Sequence, residues 1–129
     1  MATLVEGARN AEFMQSEANG TRSRDAAIVT VAANTTIPAG RTMAQITASG
    51  KWVPHDADGT DNGTRTVRGL LYASVTNDTA SPADFDGVII ARDAEIKGSK
   101  VVYDPAGDAA ANLANRVTLA ALGIIVRTV

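Results

Sequence analysis

The stretch Ile37-Pro-Ala-Gly-Arg-Thr-Met-Ala-Gln-Ile-Thr-Ala-Ser-Gly-Lys-Trp-Val-Pro-His-Asp56 decides how this chain reads. Pro38 sets φ for the second position of a β-turn, and Gly40 suits the fourth position of a type I turn. Thr42 to Thr47, rich in β-branched residues, follows as a strand. Ala48-Ser49-Gly50 is a short reversal, with Gly50 able to take the left-handed conformation at a bulge. Lys51-Trp52-Val53 runs back, and Pro54, which has no N–H to donate, is expected to end the pairing. The result is turn, strand, turn, strand, and it contains the chain's only Trp and only His.

Outward from this unit, Ala26 to Val31 reads as a strand with Ala27, Val29 and Val31 on one face. Val67 to Val75 returns to strand. Asp56 to Thr66 lies between as a polar loop, and Thr76 to Asp86 is a second loop, around Ser81-Pro82. Gly87 to Ile96 opens on the apolar run Val88-Ile89-Ile90-Ala91, the pattern of a strand covered on both faces. Lys97-Gly98-Ser99 reverses the chain into Lys100 to Tyr103. From Asp108 to Leu122 the chain is Ala-rich, with Leu113, Val117 and Ala121 four apart on one helical face. Asp108 reads as the N-cap and Gly123 as the C′ residue, and Ile124-Ile125-Val126 forms a last strand.

At 129 residues the chain is sized for one domain and one core. Hydrophobic residues make up 45% and charged residues 20%, a globular balance, whereas aromatics are only 4%. The core therefore rests on Val, Ile, Leu and Ala, and stacking platforms for bases or sugars are scarce. A net charge of −2 with scattered Lys and Arg leaves no basic stripe for nucleic acid. The absence of Cys rules out disulfides and thiolate metal sites. No signal-peptide pattern stands at the N-terminus, and the run Ala120 to Val126 is far too short to span a bilayer, so no membrane contact is expected. Four Asn-x-Thr sequons, at Asn19, Asn34, Asn62 and Asn77, read as turn chemistry in that setting.

Residues 1 to 25 carry few large apolar side chains (Leu4, Val5, Phe13 and Met14) and do not read as a folded element. Two readings stay open for them, a frayed terminus or an arm that orders against a partner.

Chemistry has little to work with. His55 is the sole imidazole, so a His cluster for metal does not exist, and its place between Pro54 and Asp56 is that of an exposed turn residue. The acidic loop fails the calcium pattern, with Asp61 where Gly is required and Val67 where Glu is required. Asp104-Pro-Ala-Gly-Asp108 lacks the spacing and the Lys of a phosphate loop. Arg92, Asp93 and Glu95 read as a structural ion-pair cluster, and Trp52 as core or subunit-interface packing. Neither a cofactor nor a catalytic residue is assigned.

Six segments in register carry a resemblance. They are Ala11-Glu-Phe-Met-Gln-Ser-Glu-Ala-Asn-Gly-Thr-Arg-Ser-Arg-Asp25, Ile37-Pro-Ala-Gly40, Thr47-Ala-Ser-Gly-Lys-Trp-Val-Pro54, Gly69-Leu-Leu-Tyr-Ala73, Ile90-Ala-Arg-Asp-Ala-Glu-Ile96 and Leu119-Ala-Ala-Leu-Gly-Ile-Ile-Val-Arg127. Together they resemble the lambda-type head decoration proteins of tailed bacteriophages. The resemblance implies a mainly β fold of β-clip type: a bent two-stranded ribbon closing as a small incomplete barrel, with one short C-terminal helix and an extended N-terminal arm. It implies a homotrimer at three-fold sites on the outer surface of the expanded head, made in the host cytoplasm and bound to the major capsid protein. Residues 1–25 would be the docking arm, with Phe13, Met14, Ser16, Glu17, Asn19, Gly20, Arg22 and Arg24 as its contacts, and residues 26–129 the trimerising domain. A host- or carbohydrate-binding β module is the alternative of the same fold class, although one Trp and two Tyr leave little for sugar stacking.

Overall fold

The computed structural model describes residues 9–129, which form ten strands and one α-helix. In chain order the strands are β1 (Met14–Glu17), β2 (Arg24–Val31), β3 (Thr35–Ile37), β4 (Thr42–Gln45), β5 (Trp52–Pro54), β6 (Gly69–Leu71), β7 (Val75–Asn77), β8 (Ala83–Ile90), β9 (Ala94–Lys97) and β10 (Ile124–Arg127); α1 spans Ala109–Ala121. The longest pairing is the antiparallel ribbon of β2 and β8, in register from Arg24↔Ile90 to Val31↔Ala83. β3 follows β2 and β7 precedes β8, and these two short strands pair with each other. The ribbon closes into a barrel in the order β2-β5-β4-β6-β8, and β1, β9 and β10 form a separate three-stranded sheet. The barrel closes between β2 and β5 through one parallel bridge, Val29↔Trp52. The fold is mainly β with a single short helix near the C-terminus, as the sequence implies.

The expectation of one core needs correcting, because the apolar residues divide into two clusters. Successive side chains of a strand point to opposite faces, so β6 and β8 serve both clusters at once. Leu71 and Ile89 face inward with Val29, Val31, Ile37, Met43 and Trp52, filling the barrel. Leu70 and Ile90 face outward and join Phe13, Val67, Ile96, Leu119 and Ile124 in a second cluster. The apolar run at Val88 to Ala91 is thus covered on both faces, the condition its composition signals.

Turn chemistry is legible in outline and shifted in detail. The turn hydrogen bond runs from the Arg41 N–H to the Pro38 carbonyl, so Pro38 is the first residue of the turn and Gly40 the third. Gly40 has φ +84, the type II requirement at that position. Pro54 does not end the pairing. It stands opposite Met43, and His55 donates to the Thr42 carbonyl at 3.0 Å, so Pro54 occupies a position that needs no N–H. The strand expected over Val67 to Val75 is broken into β6 and β7, because the chain leaves the barrel after Leu71 to pair with β3. The strand expected from Gly87 is likewise two. β8 begins earlier, at Ala83, and a break with Asp93 at φ 52 separates it from β9. Lys97-Gly98-Ser99 gives a short 3-10 turn, Gly98–Lys100, and Val102 makes only an isolated bridge to Arg41.

The helix sits where its caps place it. The Asp108 carboxylate accepts from the Ala111 N–H at 2.8 Å, and Gly123 follows the helix at φ 83. Leu113 and Val117, the face picked out by spacing, are 62% and 67% exposed, whereas Leu119 turns into the core.

The part of residues 1–25 that the structure describes lies on the body. Phe13 is 1% exposed within the outer cluster, and β1 pairs antiparallel with β9. Its polar sequence conceals this because a single ring and four strand residues supply the attachment. Leu4 and Val5 lie outside the described residues.

Candidate functional site

The surface built by the N-terminal segment is cross-linked by side-chain hydrogen bonds and ion pairs. β1 places Ser16 opposite Glu95, and the hydroxyl donates to that carboxylate at 2.6 Å. Arg127 on β10 donates to the same Glu95 at 2.8 Å. Glu17 accepts from the buried Ser23 hydroxyl and from Arg24, whose Nε lies 3.1 Å away. Arg24 also lies 4.3 Å over the Tyr72 ring, a cation–π contact. Arg24 and then Ser23 hold the Glu17 carboxyl below its ordinary value; Ser16 and then Arg127 do the same for Glu95. The cluster expected of Arg92, Asp93 and Glu95 is replaced by three separate pairs with residues outside it: Arg92 grips Asp25 at 2.6 and 3.0 Å, Arg22 meets Asp93 at 3.2 Å, and Glu95 takes Arg127.

The candidate docking residues therefore separate by exposure. Phe13 is core, and Met14 and Glu17 are half-buried. Ser16, Asn19, Gly20 and Arg22 are exposed, with Gly20 turning the chain at φ +71. Arg24 is half-buried between Glu17 and Tyr72. The structure gathers Ser16, Glu17, Arg22 and Arg24 with Asp25, Arg92, Asp93 and Glu95 along one margin formed by β1, β9 and the start of β2. Asp25 and Arg127 were not among the sequence candidates. The signal that points to them is pairing: each lies across a strand or ion pair from a candidate.

His55 is not an exposed turn residue. It is 2% exposed, its Nε2 lies 3.0 Å from the Arg65 carbonyl, and its Nδ1 is buried without a partner. The turn between Pro54 and Asp56 tucks inward because the loop carrying Arg65 folds back over it. Beneath it Arg41, also buried, donates to the His55 carbonyl at 3.0 Å and to the Thr42 hydroxyl at 2.8 Å. Burial pushes the Arg41 guanidinium down, partly offset by Asp104 and Asp56. Burial pushes the Asp104 carboxyl up, but the Ala106 and Ala57 N–H groups, with Arg41 and His55 beyond them, outweigh it and leave the value lowered. This arrangement braces the 56–66 loop.

The loop itself is organised by side-chain-to-backbone turns. Asp56 accepts from the Asp58 N–H at 3.0 Å, Asn62 accepts from the Thr64 hydroxyl at 2.6 Å, and Arg65 donates to the Gly59 carbonyl at 2.7 Å. Among the described residues no group of three or more His, Asp or Glu is placed to hold a metal ion. Two sequon asparagines are likewise structural. Asn34 sits in the left-handed region at φ 50, and Asn77, 1% exposed, donates to the Val31, Ala32 and Ser81 carbonyls.

Trp52 is 7% exposed, with its bulk inside the barrel. Its outer edge helps to line an open cleft of about 950 Å³ between β2 and β5, bordered by Asp25, Ile28, Lys51, Arg68 and Arg92. Charge rims the cleft, and it contains no second ring to sandwich a sugar or base.

Residues 3–124 match the model of the family described as bacteriophage lambda head decoration protein D. No curated protein matches the chain.

Proposed function

The chain belongs to the bacteriophage lambda head decoration protein D family, and from that membership we propose that it acts as a homotrimer cementing three-fold sites of the expanded head. Membership itself assigns the coarser role, decoration of a phage capsid by a structural protein. The finer reading takes the major capsid protein as partner, the outer surface as location and the host cytoplasm as the place before assembly. It involves neither cofactor nor catalytic step. The match across residues 3–124 carries the proposal.

In this reading, binding the assembled lattice and not its free subunits stabilises the lattice by mass action. The net charge of −2 keeps the protein off packaged DNA. Attachment is assigned to the N-terminal segment, residues 1–25, and trimerisation to residues 26–129. Phe13 anchors the segment to the body, and Met14, Ser16, Glu17, Asn19, Gly20, Arg22 and Arg24 supply the docking margin. Three such margins on one trimer bind together, so avidity exceeds single-site affinity by about 10² or more.

The test mixes the purified chain with undecorated expanded heads and follows co-pelleting and the temperature of DNA release. Decorated heads are expected to release DNA at a higher temperature than bare ones. Arg22→Ala is expected to weaken pelleting while changing the chain's own unfolding by no more than about 1 kcal/mol, the scale of the exposed Arg22–Asp93 pair it removes. Equal release temperatures for decorated and bare heads would sink the stabilising role.

A further inference from the structure

The dipeptide Asn-Gly occurs twice in the chain, at Asn19-Gly20 and Asn62-Gly63, and the fold treats the two oppositely. Asn followed by Gly is chemically labile, because the next backbone nitrogen can reach the side-chain carbonyl carbon with no Cβ of its own in the way. Around Asn62 that approach is blocked. Its Oδ1 accepts from the Thr64 N–H at 3.3 Å and from the Thr64 hydroxyl at 2.6 Å. Its backbone is held on both sides, the N–H donating to the Thr60 carbonyl at 2.8 Å and the carbonyl accepting from the Thr47 N–H at 2.9 Å. Gly63 is wedged so closely that a Cβ there would lie 2.2 Å from the Gln45 carbonyl oxygen.

Asn19 has none of these restraints. It stands exposed in the turn between β1 and β2. Among the described residues, neither its side-chain amide nor the Gly20 N–H has a hydrogen-bond partner. A Cβ at Gly20 would meet nothing within 4 Å. The turn is pinned only at its ends, by the Ala18 N–H on the Asp93 carbonyl and the Arg24 N–H on the Thr21 carbonyl, both at 3.0 Å.

We infer that Asn19 is a self-modification site, at which Asn19-Gly20 rearranges to aspartyl and isoaspartyl forms and adds a negative charge to the turn carrying Arg22. The Gly20 backbone nitrogen attacks Cγ of Asn19. An N–Cγ bond forms, the Cγ–Nδ2 bond breaks, and ammonia leaves with the Gly20 amide proton, so that a succinimide ring remains. Water then opens the ring. Cleavage at N–Cγ restores the ordinary chain with an aspartate. Cleavage at the backbone carbonyl instead leaves isoaspartate, the chain routed through Cγ and longer by a methylene. No electrons are transferred, and water is the only co-reactant. Arg22 now pairs with Asp93 at 3.2 Å, and the new carboxylate offers it a second anion. A weakening of attachment by that charge rests on the docking reading; the rearrangement itself does not.

The experiment incubates the full chain in mildly alkaline buffer and maps its tryptic peptides by mass spectrometry, with fragmentation that tells isoaspartate from aspartate. Cleavage at Arg9, Arg22, Lys51 and Arg65 puts the two sites on separate peptides. In the folded chain Asn19 is expected to convert faster than Asn62 by about ten-fold or more, the factor that one held side-chain hydrogen bond is worth. In concentrated urea, where the fold no longer restrains Asn62, the two are expected to convert at similar rates. Gly20→Ala, which adds a Cβ beside the attacking nitrogen, is expected to slow conversion at Asn19 and leave Asn62 as it was. An intact Asn19, or equal rates at the two sites in the folded chain, overturns the inference. Selectivity that persists undiminished in urea overturns it too, because the difference would then lie in neighbouring sequence. Asn19→Asp, which stands for the aspartyl product, is expected to pellet less with expanded heads than the wild type; equal pelleting overturns the effect on attachment. A wild type that does not pellet overturns the docking reading, while the peptide map still decides the modification.

Discussion

Replacing Phe13 by Ala separates the two ways the N-terminal segment can be attached. Were residues 1–25 a loose arm, truncating one ring would leave the stability of the body unchanged. In the structure the ring is 1% exposed and packs with Leu70, Ile90, Ile96 and Leu119. Its backbone is held as well, since the Lys97 N–H donates to the Phe13 carbonyl at 2.8 Å. Gly40 closes the other side so tightly that a Cβ there would meet the Phe13 Cβ at 3.2 Å. The site is therefore poorly able to collapse, and Phe13→Ala is expected to cost about 3–5 kcal/mol. Against a total of roughly 5–15 kcal/mol this is a large share. With a urea slope of about 2 kcal/mol per molar, the unfolding midpoint falls by about 1.5–2.5 M. The assay is urea unfolding at one fixed protein concentration, because association shifts the midpoint. The signal is Trp52 fluorescence, and Trp52 lies in the other cluster, inside the barrel. A full midpoint shift seen at Trp52 means that the segment and the barrel unfold together. A fall below roughly 0.3 M would refute the reasoning and return Phe13 to the role of a peripheral contact.

Two further outcomes follow from polar groups bonded in the folded chain. Asn77→Ala strips three carbonyls of their donor where β2, β7 and the Ser81 turn meet, and is expected to lower stability by about 2–3 kcal/mol in the same urea assay; a change under about 0.5 kcal/mol would show that water replaces the amide. The Glu17, Glu95 and Asp104 carboxyls are all lowered in the folded chain, so the stability they contribute is complete above their unfolded values near 4 and is lost as pH falls through the folded ones. The urea midpoint is expected to decline steadily from about pH 5 toward pH 2, and less steeply in Glu17→Gln; a flat profile would contradict the assignment.

The features legible in the sequence are those written in neighbouring residues. The helix begins at Asp108 and ends before Gly123 because a side-chain cap and a left-handed residue act within one turn of themselves. The reversal at Ala48 to Gly50 and the doubly covered run at Val88 to Ala91 are local in the same sense. So are the six segments that carried the family resemblance, since sequence similarity is counted position by position. Whatever depends on a distant partner was not legible. Phe13 looks isolated because Leu70, Ile96 and Leu119 stand far along the chain. His55 reads as an exposed turn residue because the loop that returns to cover it contributes only a backbone carbonyl, from Arg65. Spacing showed that Leu113 and Val117 share a helical face but did not show which face the sheet would take, because α1 is apolar on both. Only the packing of Leu119 onto Ile124 and the outer wall of the barrel decided that, since burial belongs to a pair of surfaces and the sequence of one element contains half of the pair.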